Sequence, residues 1–126
     1  MKYYDTEINY QCRKEAGLTG WVSSHFENRM AVATALALMN GRVLGSMIDL
    51  GAGGGEDAIA FYRMGVCSVT AVEFSETAVA MAQRNIHNTQ CDITVIHDDI
   101  IHMNTENISP VEFVYSNAVL HFFSAH

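Results

Sequence analysis

Three glycines, Gly51, Gly53 and Gly55, alternate directly after the apolar run Met47-Ile48-Asp49-Leu50. Glycine allows a sharp turn and leaves main-chain N–H groups uncovered, and a helix starting there adds the positive end of its dipole. Such a loop can bind the polar part of a nucleotide-like ligand, although an isolated glycine cluster can equally be only a tight turn. A second feature stands at a matching distance. Glu73 lies near the end of the run SVTAVEF (residues 68–74), 22 residues beyond Gly51. That is close to the roughly 20-residue offset at which an acid reaches ribose hydroxyls in dinucleotide-binding folds. The two oxygens of a carboxylate can accept from both ribose hydroxyls at once. The plain alternative for Glu73 is a solvated acid at a strand end.

These residues need a frame, and the hydrophobic pattern predicts one. Residues 22–40 place Val22, Phe26, Met30, Ala33 and Ala37 at helical spacing, with Ser24 and Glu27 as a capping box and Asn40-Gly41 as a stop. Residues 47–50 read as a short strand and Glu56 to Met64 as a helix ended by Gly65. A second strand over 68–74 leads to Ser75, a cap for a helix through Asn88 whose inward face is Ala78, Val79, Ala82 and Ile86. Asp92 to His97 is a third strand, 103–109 a polar crossover with weak helical signal, and Val111 to Ser116 a fourth strand running into a further helix from Asn117. Alternating strands and helices imply a parallel sheet with right-handed crossovers, helices on both faces, and ligands beyond the carboxyl ends of the strands. The loops so selected are Gly51–Gly55, Glu73-Phe74, Asp98-Asp99 and Ser116-Asn117.

Composition narrows the partners. The 126 residues, 49% hydrophobic and with a single proline at position 110, fit one domain without a linker. Cys12, Cys67 and Cys91 are isolated, so neither a disulfide framework nor a zinc site is expected and a reducing cytoplasm is the natural setting. No apolar run approaches the roughly 18 residues of a membrane span, and the first ten residues lack a signal-peptide core. With a net charge of −7 and seven scattered Lys and Arg residues, the surface would repel a nucleic-acid backbone. A small-molecule substrate is the expected partner, with no nucleic acid and no membrane.

The ordered segments DLGAGGG, AVEFS, HDDI and FVYSNAVLH resemble the motif series of class I S-adenosylmethionine-dependent methyltransferases, over about residues 20–123. The resemblance implies a Rossmann-like α/β fold, made of the first four strands of the family's parallel sheet, with helices on both faces and an N-terminal helix. It implies S-adenosyl-L-methionine as cofactor. Gly51, Gly53 and Gly55, with Ala52 between them, would line its methionine and ribose portion, and Asp49 would support its ammonium group. Glu73 would hold the ribose and Phe74 pack on the adenine. Asp99 would accept from the adenine amino group with the Ile100 backbone beside the ring; Asp98 is the competing choice. Asp49 as a strand-end acid satisfied by backbone N–H groups, and Phe74 as core filler, remain alternatives. Gly20-Trp21 and the helix containing Arg29 loosely match a segment that packs over the cofactor in many members. Trp21, Tyr3, Tyr4 and Tyr10 read either as lid residues or as structural and surface aromatics.

A nicotinamide dinucleotide is the rival ligand, but GxGxxG would need glycine where this chain has Glu56, and that acid would face a pyrophosphate. A sulfonium cation tolerates an acidic loop. For methyl transfer the protein mainly positions the acceptor and, where needed, removes its proton. Ser116-Asn117 would face the methyl group; His121, one helical turn beyond Asn117, is a candidate base or a structural histidine. The other histidines have no positional argument, and no metal site is expected. SNAV departs from the Asn/Asp-Pro-Pro-Tyr/Phe motif of amino-directed members, and no Pro-Cys nucleophile is present. The expectation is an enzyme methylating a small molecule at O, N, S or C. The alternative is a non-catalytic S-adenosylmethionine-binding module, or a subunit completed by a partner chain. Because the family's sheet continues past the fourth strand, residues 1–126 are expected to form a single methyltransferase-type domain truncated at its C-terminus. Its fourth strand would be an exposed edge open to a homodimer partner or completing chain.

Overall fold

The computed structural model describes residues 3–17, 30–39 and 45–117. Four strands, β1 (Ser46–Leu50), β2 (Ser68–Glu73), β3 (Ile93–His97) and β4 (Phe113–Tyr115), form a wholly parallel sheet in the order β3-β2-β1-β4. Asp49 pairs with Ala71 on one side and Tyr115 on the other, and Glu73 pairs with His97. The chain steps outward from β1 to β3 and then returns across β1 to lay down β4. This reversal opens a crevice between the carboxyl ends of β1 and β4, where ligands of open α/β sheets bind.

Among the described residues four α-helices accompany the sheet: α1 (Tyr3–Glu15), α2 (Met30–Leu38), α3 (Glu56–Arg63) and α4 (Glu76–Thr89). The capping chemistry expected of α4 is present, since Ser75 Oγ accepts from the Ala78 N–H at 3.1 Å. All four apolar residues predicted for its inner face are buried. Side chains on one face of the sheet, among them Met47, Val69, Ala71, Ile93 and Tyr115, join Ile59 and Phe61 of α3, Ile86 of α4 and Val32 of α2 in one core. The Phe61 ring meets Tyr115 edge-on at 4.9 Å and Phe113 at 6.1 Å, joining α3 to β4. On the opposite face of β4, Val114 is 60% exposed.

The structure departs from the sequence pattern at α2, α1 and β4. The helix expected over 22–40 is described only as Met30–Leu38, and its capping box lies outside the described residues. Ala33 and Ala37, expected to face inward, are exposed, while Val32 is fully buried. The segment MAVATALAL is apolar nearly all round, so periodicity cannot set its rotation; packing against α3 does. Second, α1 was not anticipated as a helix, because its sequence is polar and its support comes from contact with α4. Third, β4 is shorter than predicted, and the crossover before it holds only a 3-10 turn, Thr105–Asn107.

Candidate functional site

The loop after β1 is fastened to β2 by main-chain bonds. The N–H groups of Gly51 and Ala52 both donate to the Val72 carbonyl, at 2.8 and 3.0 Å. Gly53 N–H then donates to Glu73 Oε1 at 2.9 Å, and Asn85 Nδ2 of α4 donates to the Gly54 carbonyl at 2.8 Å. Gly53 and Gly55 adopt φ of +58° and +80°, a region costly for residues with a Cβ. A Cβ on Gly53 would stand 2.4 Å from Tyr10 Oη, and one on Gly55 3.4 Å from Ala82 Cβ. The glycines therefore permit both the turn and the close seating of α1 and α4.

Glu73 lies at the centre of this arrangement, only 6% exposed. Its second oxygen accepts from the Ser75 N–H at 2.8 Å, so one carboxylate ties the loops after β1 and β2 together. Four acceptor directions belong to a carboxylate, which leaves capacity for a hydroxyl donor beside the bonded N–H groups. Burial raises its pKa; the N–H groups of Ser75, Gly53 and Phe74 pull the other way, and the charge of Glu7 adds to the rise. Asp49, Glu56 and Asp57 are also buried around the loop. Tyr10 of α1 enters this acidic setting. Its burial, together with the charges of Glu73, Glu56 and Asp49, pushes the phenol pKa upward against the smaller opposing effect of Arg13.

The far end of the crevice is more open. Phe74 is 39% exposed, and its carbonyl is bonded to His97 Nε2 at 2.7 Å. Asp98 N–H donates to the Glu73 carbonyl at 3.0 Å, placing the loop after β3 beside the loop after β2. Asp98 Oδ1 accepts from Asp99 N–H at 2.7 Å. Asp99 accepts from the Ile101 N–H at 3.0 Å and meets His102 Nδ1 at 2.7 Å. Both acids and Ile100 are partly buried.

At the β1–β4 switch point, Ser116 Oγ donates to the Leu50 carbonyl at 3.2 Å. Asn117 Nδ2 and the Tyr115 hydroxyl both donate to Asp57 Oδ2, at 3.2 and 2.9 Å. Asp57 thus holds the loop after β4 against the first turn of α3. Sequence reasoning missed this residue; its position in that first turn is the only local signal. His121, Trp21 and Arg29 lie outside the described residues.

The predicted groups Gly51–Gly55, Asp49, Glu73, Phe74, Asp98, Asp99 and Asn117 therefore all occur at the carboxyl end of the sheet. Their chemistry is acidic and acceptor-rich, and α3 opens with buried Glu56 and Asp57. A pyrophosphate would meet like charge there, whereas a ligand bearing ammonium and sulfonium cations and a ribose diol matches these acceptors. Among the described residues no group of three or more His, Cys, Asp or Glu is placed to hold a metal ion. No helix of the described residues is long and apolar enough to cross a membrane.

Comparison with solved structures places this fold among methyltransferases. The chain is similar to a protein from Methanococcus maripaludis assigned to the S-adenosyl-L-methionine-dependent methyltransferases, with 20% identity, a TM-score of 0.72, and 94% of this chain matched to 53% of that one. It is similar to magnesium protoporphyrin IX methyltransferase from Synechocystis PCC 6803, solved with bound S-adenosylmethionine, at 23% identity and a TM-score of 0.61 over 75% of this chain and 44% of that one. A methyltransferase from Thiobacillus denitrificans in complex with S-adenosyl-L-homocysteine gives 19% identity and a TM-score of 0.60 over 76% and 39% of the two chains. The chain spans about half the length of the first of these structures and less of the other two. No curated protein sequence matches it significantly. A family model described as a methyltransferase domain matches residues 47–126, well over half of the sequence, and the chain belongs to that family.

Proposed function

We propose that this chain binds S-adenosyl-L-methionine in the crevice at the carboxyl ends of β1, β2 and β4 and serves a methyltransferase acting on a small molecule. The observation that carries the reading is the buried Glu73 carboxylate bonded to Gly53 in a glycine loop that leads straight into α3. Glu73 accepts from the ribose, and Gly51, Ala52, Gly53 and Gly55 line the ribose and methionine portion. Asp49 supports the ammonium group. Phe74 packs on the adenine, with Asp99 and the Ile100 backbone at its edge. The cofactor, when bound, supplies a methyl group already activated by the sulfonium.

The protein's own task is to hold an acceptor in line with that methyl group and exclude competing water. Asn117, held by Asp57, is assigned to this positioning, and His121 to proton removal. The net charge of −7 supports a small acceptor over a nucleic acid. The three free cysteines fit a reducing compartment such as the cytoplasm. β4, paired only with β1 among the described strands and carrying exposed Val114, is the edge at which a second copy or completing chain would dock.

Titration calorimetry tests the cofactor assignment directly. S-adenosylmethionine and S-adenosylhomocysteine are expected to bind and nicotinamide dinucleotide not to. Glu73→Ala should weaken binding at least about tenfold, because it removes a charged acceptor and frees two buried N–H groups. Dinucleotide binding with neither methionine derivative bound would overturn the reading. Transfer of a radiolabelled methyl group to small-molecule acceptors then distinguishes an enzyme from a binding module.

A further inference from the structure

The loop after β3 ends in a tight turn, closed by the His102 N–H, which donates to the Asp99 carbonyl at 3.0 Å. Inside the turn Asp99 Oδ1 accepts from the Ile101 N–H at 3.0 Å, a common local use of an aspartate side chain. The second oxygen, Oδ2, meets His102 Nδ1 at 2.7 Å. An ionised carboxylate only accepts, so the ring nitrogen facing it carries the hydrogen whether the imidazole is neutral or charged. Asp99 is therefore held at both oxygens, at one by the backbone of its own turn and at the other by a ring.

The ring does little for stability. The His102 side chain is 78% exposed and that of Asp99 18%, and a solvated pair of this kind contributes about 0–1 kcal/mol. The main chain of the loop is tied to the end of β2 by bonds that do not involve His102: Asp98 N–H donates to the Glu73 carbonyl at 3.0 Å, and His97 Nε2 is bonded to the Phe74 carbonyl at 2.7 Å. What the ring fixes is direction. Held through Oδ1 alone, the carboxylate can swing about that bond; held through both oxygens, it keeps one orientation. A carboxylate offers four acceptor directions, so these two bonds do not exhaust it.

We propose that His102 is a positioning residue for purine recognition: it fixes the Asp99 carboxylate so that this acceptor meets the 6-amino group of the cofactor's adenine and rejects a 6-oxo purine. The proposal rests on reading the crevice as the S-adenosylmethionine site with Asp99 at the adenine edge. His102 itself has no assigned contact to the cofactor. A 6-amino group donates to a carboxylate, whereas a 6-oxo group places oxygen against oxygen. A fixed carboxylate cannot avoid that clash, while a free one can turn away from it.

Titration calorimetry on the full chain with S-adenosylhomocysteine and with S-inosylhomocysteine, its 6-oxo counterpart, tests the proposal. Wild type should prefer the adenine ligand at least about tenfold, since the 6-oxo ligand loses a hydrogen bond to a charged acceptor. His102→Ala should lower that preference at least about threefold. His102→Asn carries an N–H at the position of Nδ1 and should stay within about twofold of wild type. A smaller change in His102→Ala overturns the proposal, even where both affinities fall together, because a merely structural role lowers both and leaves their ratio alone. A larger loss in His102→Asn also overturns it, since the ring would then act by its bulk and not by its N–H. Wild type that binds both ligands equally overturns the adenine assignment and the proposal with it, and wild type that binds neither overturns the cofactor reading itself.

Discussion

The glycine loop is held mainly by the backbone: Gly51, Ala52 and Gly53 each spend an N–H on β2 or its terminal acid, and Gly54 offers its carbonyl to Asn85. Helix α1, across the same crevice, is attached by the Glu7 carboxylate and the Tyr10 side chain. One structure is therefore fixed by main-chain bonds to β2 together with two buried side chains, Glu73 and Asn85. The described contacts of the other run through side chains, a part-buried carboxylate and a buried phenol. Floor and cover of one site are thus held by different kinds of contact.

Substituting the floor should give the largest effect. Gly53→Val puts a β-branched residue at φ +58° and a Cβ within 2.4 Å of Tyr10 Oη. Strain of about 1–3 kcal/mol, added to the collision, should reduce S-adenosylmethionine affinity by about 100-fold in calorimetry. Retained affinity would show that the loop can adjust. Asn85→Ala should come next. It leaves the buried Gly54 carbonyl without its amide donor and should lower unfolding stability by about 1–3 kcal/mol in a denaturant titration. Thr77→Val, which removes from α4 one hydroxyl that donates to Glu7 of the cover, should change the same titration by less than about 1 kcal/mol. Equal losses would erase the distinction between floor and cover.

Most of the floor was legible in the sequence, because its signals are local. Glycine alternation after an apolar run, an acid at a strand end and a serine before a helical pattern are each decided within a few residues. Ser75 caps α4, and Glu73 stands beside the glycine loop, as that pattern requires. The cover was not legible. The Ser75–Glu7 contact joins residues 68 apart, and nothing local to MKYYDTEINY distinguishes Glu7 from a solvated acid. Asp57 and Asn85 escaped for the same reason: their partners lie 58 to 60 and 31 residues away. The rotation of α2 failed differently, since an alanine-rich apolar helix carries no phase of its own.

The smallest expected effect is also the most direct contrast, because Glu7 and Glu73 both bond Ser75 and have pKa values shifted in opposite directions. Burial disfavours the Glu7 anion, but hydrogen bonds from Ser75, Thr77 and Gln11 outweigh it and hold its pKa below the ordinary 4.5. Its stabilising contribution is therefore present above pH 4.5 and lost as pH falls through the depressed value. Burial dominates at Glu73 and raises its pKa, so its contribution is present below pH 4.5 and lost as pH rises through the raised value. Unfolding free energies of wild type, Glu7→Gln and Glu73→Gln across the acid range should separate the two. On acidification from neutral pH, wild type should lose ground relative to Glu7→Gln and gain ground relative to Glu73→Gln. Solvent around the Glu7 carboxylate keeps the first change well under about 1 kcal/mol. Slopes of the same sign would mean that the Glu7 carboxylate is as desolvated as that of Glu73.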